Sequence, residues 1–170
     1  MDAYLAIVSK REVRSYADRP IDPDARRRIL EAARISGSSG NKQQWRFIVV
    51  ESEDKRARLA ETVYVPGNVQ GAKLIVVVVM QGGGRTNFDV GRTSQNMMLA
   101  AWNEGIGSCP NGMTDSDAVA SMLGLHTGEE PAIILTFGYP ARPVDPEGRA
   151  PEEWIRAANR KRFDEVVETV

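Results

Sequence analysis

The sequence is poor in the residues that build covalent or metal frameworks. It has one cysteine, Cys109, and one histidine, His126. A single thiol excludes an internal disulfide, and the two residues together leave almost nothing for a zinc site. A charge surplus is also missing: 22 Lys and Arg stand against 23 Asp and Glu, a formal net charge of −1. A polyanion-binding module normally carries a clear basic excess, so no nucleic-acid partner is expected. Long apolar runs are absent as well. The longest, Leu74–Met80, has seven residues, against the ~20 needed to cross a bilayer. Met1–Ser9 carries the acidic Asp2 where a signal peptide has its basic region, and its apolar stretch is short. The expectation is a soluble, cytoplasmic protein without metal or membrane association.

What is present is ordinary for a globular chain. The 170 residues, 42% of them hydrophobic, suit about one domain, and a chain of this length typically buries roughly 70% of its unfolded surface. Residues 1–170 are therefore read as a single domain. One asymmetry stands out, because 17 of the 22 cations are Arg and only 5 are Lys. Arginine grips carboxylate and phosphate bidentately, but a general surface preference for Arg gives the same count. Position has to decide.

Hydrophobic periodicity outlines the elements. Asp2–Lys10 reads as a short amphipathic helix. Asp22 and Pro23 supply an N-cap and first helical residue for a helix running to about Ile35, with Ile29, Leu30 and Ala33 inward and Arg26–Arg28 on the wet face. Ser36–Asn41 is a small-residue loop. Arg46–Glu51 reads as a strand, Glu53–Thr62 as a charged helix and Tyr64–Gly71 as a loop. The continuously apolar Leu74–Met80 has the pattern of a central strand covered on both faces, broken by Gly82–Gly84. Thr86 or Asn87 opens the longest helix, to about Asn103, with Val90, Ser94, Met97, Leu99 and Ala101 as a small-and-methionine surface. Asp115–Leu123 reads as a helix and Ala132–Phe137 as a strand. Pro140–Pro151 is an irregular crossing, and Glu152–Thr169 a closing helix. Strands separated by helices, without repeat or linker, predict parallel or mixed pairing. The expected fold is an α/β (α+β) three-layer α-β-α sandwich with a mixed central sheet.

Several chemistries are excluded by spacing. No Gly-x-Gly-x-x-Gly follows a first strand, so a dinucleotide fingerprint is absent. No glycine-rich segment leads into Lys-Ser or Lys-Thr, so there is no Walker loop. Ser38 and Ser39 sit in a loop rather than a nucleophile turn, and His126 is read as a surface or structural residue. Three segments remain. Lys10, Arg11 and Arg14 place three cations within five residues, enough to wrap a phosphate with forked hydrogen bonds, or simply a charge cluster. Ser38–Phe47 runs from hydroxyl and amide side chains into an aromatic strand, suited to a flat, polar-edged ligand, or to an ordinary turn. Gly105–Gly112 (GIGSCPNG) permits close backbone approach to a ligand, or is a helix C-cap followed by a tight turn.

Taken in order, these segments resemble the nitroreductase family of flavoproteins, in particular its short single-domain members. The resemblance rests on KREVRSY (10–16), GSSGNKQQWRF (37–47), the helix carrying Asp89, Gly91, Gln95, Asn96, Leu99, Ala100 and Ala101, the GIGSC turn, and Gly138–Ala141 with Arg149 and Pro151. Gly37 and Gln44 stand where the family has prolines, and Glu12 where many relatives have Ser or Thr. The stretch between the Arg46 strand and the long helix is short, which implies a reduced lid.

The resemblance implies bound FMN, reduced by NADH or NADPH. Flavin N5 would carry the chemistry, with no catalytic side chain, and electrons would pass to a small acceptor such as a nitroaromatic or quinone. It assigns Lys10, Arg11, Glu12, Arg14 and Arg149 to the phosphate and ribityl end, and Ser38, Ser39, Asn41 and Gln43 to the ring. Pro110, Asn111 and Gly112 fall to the N5–O4 edge. It also implies a homodimer with FMN at the interface, to which the long helix's small-and-methionine surface adds support. A flavin-binding redox sensor without turnover, a deazaflavin-dependent relative, and flavin breakdown or dehalogenation stand as alternatives.

Overall fold

The computed structural model describes residues 1–82 and 86–170, with only the backbone of Thr86. Gly83 and Gly84, part of the glycine break expected after the central strand, lie outside the described residues. The chain forms two compact units, residues 11–144 and residues 1–10 with 145–170.

In the larger unit, helix α2 (Pro23–Arg34) starts as its cap residues dictate. The Asp22 carboxylate accepts from the Asp24 and Ala25 amides, and Pro23 takes the first turn. Four strands follow: β1 (Trp45–Val49), β2 (Leu74–Gln81), β3 (Gly107–Asn111) and β4 (Glu129–Gly138). They form one sheet in the order β1-β2-β4-β3. Strand β2 is covered on both faces, as its apolar run predicts. Leu74, Val76 and Val78 pack with α2 and α5 (Thr86–Asn103). Ile75, Val77 and Val79 face the other way, onto α3 (Glu53–Glu61), α4 (Pro66–Gln70) and α6 (Ser116–Leu123). This is the expected layered α+β arrangement.

The pairing differs from expectation in detail. Among the described residues all three ladders are antiparallel, and the parallel component is one isolated bridge, Glu12 to Ser108. Helical connectors of this length return the chain in either direction, so alternation of strands and helices does not choose between them. Two elements were not anticipated. The Tyr64–Gly71 loop contains α4, and the expected tight turn after Gly105 contains β3. Gly105 does end α5 in the left-handed region, at φ +71°. Pro110 within β3 is tolerated because β3 is an edge strand. The apolar face of α5 is filled within the chain: Val90, Met97, Met98 and Ala101 lie in the same core cluster as Ala25, Ile29 and Ala33 of α2. That face is therefore no argument for a partner helix.

In the smaller unit, α1 (Ala3–Ser9) is capped by Asp2, whose carboxylate accepts from the Leu5 amide at 2.9 Å, and it packs on α7 (Pro151–Ala157). Trp154 is buried there and donates its indole N–H to Pro146 O. The closing helix expected to Thr169 stops at Ala157. Asn159 takes a positive φ of +48°, and Asn159–Arg162 offers no apolar residue to bury. Continuing the helix would also set Arg156 and Arg160 at like-charged i, i+4 positions. Only a 3-10 turn, Phe163–Glu165, follows.

Candidate functional site

The basic segment is built into the sheet edge. The Val13 amide donates to Ser108 O at 2.9 Å, Ala17 to Tyr139 O at 2.8 Å and Ala141 to Ser15 O at 3.0 Å. Gly107 makes this approach possible, because a Cβ there would lie 2.5 Å from that of Val13. Residues 11–17 thus run beside β3 and the end of β4, and Arg14 projects as an exposed cation.

Arg14 meets three of the other expected residues. With Pro110, Asn111 and Gly112 it lines a cavity of about 120 Å³, completed by Tyr64, Val65, Asn68 and Cys109. Tyr64, Val65 and Asn68 went unrecognised in the sequence, because the stretch around them reads as a featureless loop. Pro66 opening a helical turn was the available signal.

Beneath the cavity lies a buried polar network. Asn68 Nδ2 donates to Asn111 Oδ1 at 2.8 Å. Asn111 Nδ2 reaches Cys109 O at 3.0 Å, Thr136 Oγ1 at 3.1 Å and Ile134 O at 3.3 Å. Thr136 Oγ1 lies 3.1 Å from Cys109 O, to which it donates, and 3.0 Å from the Tyr16 hydroxyl. Burial pushes the Tyr16 phenol well above its ordinary pKa, so it stays protonated as a donor.

The Ser38–Gln43 loop lies elsewhere. It leads into β1, the sheet edge opposite β3. Three strand steps at ~4.8 Å put those edges roughly 14 Å apart. The loop is tightly specified. Its Ser38 hydroxyl accepts from the Gln43 amide at 2.9 Å, and Asn41 and Gln43 both have positive φ, +54° and +52°. Backbone strain of this kind is held only where surrounding contacts over-determine it. Helix α5 ties down the segment that leads into the loop. Buried Asp89 accepts from the Ser39 amide at 3.0 Å, Thr93 donates to Ala33 O at 2.9 Å, and Asn96 donates to Ser36 Oγ at 2.8 Å. The exposed side of α5 bears a hollow of about 620 Å³ lined by Asn87, Phe88, Gly91, Arg92, Gln95 and Asn96. Ser38, Ser39, Asn41 and Gln43 are thus assembled together, but not with Arg14 and Pro110–Gly112.

Arg11 is half-buried and Glu12 forms the backbone bridge to Ser108. Lys10, the C-terminal cap of α1, and Arg149, whose guanidinium lies 5.0 Å from the Trp154 ring centroid, belong to the smaller unit. His126 is exposed, and its backbone N–H donates to Glu129 at 2.9 Å. No described helix is long and apolar enough to cross a membrane.

Comparison with known proteins places the fold. Residues 7–82 and 80–139 match the model of the nitroreductase family. A putative NADH dehydrogenase/NAD(P)H nitroreductase of Methanothermobacter thermautotrophicus is 29% identical over 150 residues, covering 83% of this chain and 78% of its own length. Among solved structures, a nitroreductase family protein from Clostridium difficile 630 superposes with a TM-score of 0.83 at 23% identity, covering 99% and 98% of the two chains. An FMN-dependent nitroreductase from C. difficile R20291 gives a TM-score of 0.76 at 21% identity, covering 90% and 96%.

Proposed function

The chain belongs to the nitroreductase family, and from that premise we propose that it is an FMN-dependent oxidoreductase working as a homodimer with two shared sites. The observation that carries the reading is the cavity joining Arg14 to Pro110–Gly112. A cation stands at one side for a phosphate. A backbone wall stands at the other, able to offer N–H groups to a ring edge.

The donor set fits a flavin mononucleotide better than a dinucleotide. Arg11 and Arg14 suit a terminal monophosphate, and the chain has no glycine-rich pyrophosphate loop. At about 120 Å³ the cavity is well below the roughly 300–1,000 Å³ of a cofactor-sized pocket. A further wall is therefore needed. The Ser38–Gln43 loop is preformed and polar but sits at the far sheet edge, so a second copy of the chain is the simplest source of that wall.

Bound FMN would supply the chemistry of hydride transfer between a reduced nicotinamide and a small acceptor such as a nitroaromatic or quinone. The chain's own residues bind and orient. Arg14, together with Arg11 three residues before it, would hold the phosphate through charge-assisted hydrogen bonds. A backbone N–H of the 110–112 segment would stand at the N5–O4 edge and tune it electrostatically. Ser38, Ser39, Asn41 and Gln43 of the other copy hold the ring. Donor and acceptor use one pocket in turn, so the kinetics are ping-pong. The assignment rests on residues of the larger unit; Lys10 and Arg149 are not needed for it.

The test is cofactor extraction followed by anaerobic stopped-flow. The purified protein should release FMN, not FAD, and NADH or NADPH should bleach the ~450 nm flavin band. Bleaching only by a reduced deazaflavin would reassign the donor. Bound FMN that no donor bleaches would make this a binding or sensing protein.

A further inference from the structure

Asn111 is the last residue of β3 and only 5% exposed. Its amide nitrogen has two hydrogens and faces three acceptors, Cys109 O, Ile134 O and Thr136 Oγ1, so one hydrogen is shared. Its oxygen faces Asn68 Nδ2 at 2.8 Å. The reverse orientation would set that oxygen against two backbone carbonyl oxygens, which repel it. Asn68 is therefore what completes the one favourable arrangement. Asn68 is itself 4% exposed. It stands on α4, outside the sheet, and lines the same cavity as Arg14 and Pro110–Gly112.

We propose that Asn68 is a positioning residue, which holds Asn111 and through it the Pro110–Gly112 backbone at the distance from the flavin ring that sets the cofactor's redox balance. The proposal rests on the FMN reading above. Pro110 has no N–H, and the Asn111 N–H lies on the β4 side of the strand, opposite Ile134, so the donor this wall can offer comes from Gly112. Asn111 is the only one of the three whose side chain is anchored beneath the cavity by the hydrogen bonds described. An N–H beside a ring nitrogen serves the oxidised cofactor, whose nitrogen has a lone pair, better than the reduced one, whose nitrogen carries hydrogen. Displacing that donor therefore changes the two affinities unequally. Without Asn68, a buried acceptor on Asn111 loses its partner, and the segment shifts or the amide reorients to recover one.

Two variants test this. Asn68→Leu removes the donor at similar volume. Asn68→Asp keeps the shape and sets an oxygen against Asn111 Oδ1. FMN affinity is followed by flavin fluorescence, the midpoint potential by equilibration with a reference dye, and folding by circular dichroism of the apoprotein. Wild-type protein that takes up no FMN brings down the FMN reading, and this inference with it. With wild-type binding in hand, the folded variants should still take up FMN. Their ratio of affinities for oxidised and reduced cofactor should change at least tenfold, about 30 mV in a two-electron potential. If only one variant folds, its potential decides. Potentials equal to wild type, or failure of both variants to fold, overturn the proposal and leave Asn68 a packing residue.

Discussion

Arg14 illustrates how a single residue acquires meaning from its surroundings. As one of 17 arginines it is unremarkable; beside a cavity whose far wall is Pro110–Gly112 backbone it is placed to bind an anion. Arg14→Ala is expected to weaken FMN binding by about 1.5–3 kcal/mol, the scale of a charge-assisted hydrogen bond. Arg27→Ala, on the exposed face of α2, should leave binding within error. Fluorescence titration of FMN separates the two, and equal losses would mean that the cavity is not the phosphate site. Glu129 gives a residue-scale prediction about stability. Arg46 hydrogen-bonds both its carboxylate oxygens, and the His126 amide adds a third donor. The Arg46 hydrogen bonds first, then that amide, lower its pKa from 4.5 to about 2. A carboxylate depressed on folding stabilises at pH values above its unfolded pKa, and that stabilisation is lost as pH falls from about 4.5 to 2. Glu129→Gln should therefore melt below wild type at pH 7, and the two melting curves should converge towards pH 2. A constant gap across that window would refute the assignment.

At the scale of elements, α5 does two jobs on two faces. Its apolar positions fill the core against α2, while Asp89, Thr93 and Asn96 hold the segment from Ala33 to Ser39. Asp89 and Asn96 belong to the pattern by which the sequence resembles its family, yet nothing in their spacing says that they clamp a loop 50–60 residues earlier. Asp89→Ala should cost about 1.5–3 kcal/mol, as expected for a lost hydrogen bond to a charged group. It should also release the Ser39 amide to fast exchange and weaken FMN binding. Hydrogen exchange at Ser39 checks the mechanism; protection unchanged from wild type would show that Asp89 does not hold the loop. Strand β3 teaches the complementary lesson. Gly107–Asn111 has glycine and proline where strand formers are usual, and only pairing with β4 makes it a strand.

At the scale of the whole molecule, the proposed function requires the Arg14 cavity and the Ser38–Gln43 loop, at opposite sheet edges, to serve one cofactor. Mixed dimers test that requirement. An Arg14→Ala chain and an Asn41→Ala chain are unfolded together, refolded, and assayed at an FMN concentration that fills wild type but neither parent variant. If Arg14 and Asn41 of one site come from different chains, each heterodimer has one site with both lesions and one with none. About one wild-type site then returns per heterodimer. If every site lies within a single chain, mixing restores nothing, and the shared-site proposal fails.

Local chemistry was legible from the sequence because it is carried by neighbours. The Asp22-Pro23 helix start, the doubly covered β2, the Gly105 helix end and the grouping of Ser38–Gln43 each depend on a few adjacent residues, and each appears in the structure. The family resemblance was legible for the same reason, since it rests on short collinear motifs. Strand direction, the existence of β3 and the partners of Asn68 were not. They depend on which strand pairs with which, and that is decided by long-range packing rather than by local preference. The separation of Arg14 from the Ser38–Gln43 loop follows from the order β1-β2-β4-β3 alone. No stretch of sequence contains that order, because it exists only once β2 and β4 are buried side by side between the two helical layers.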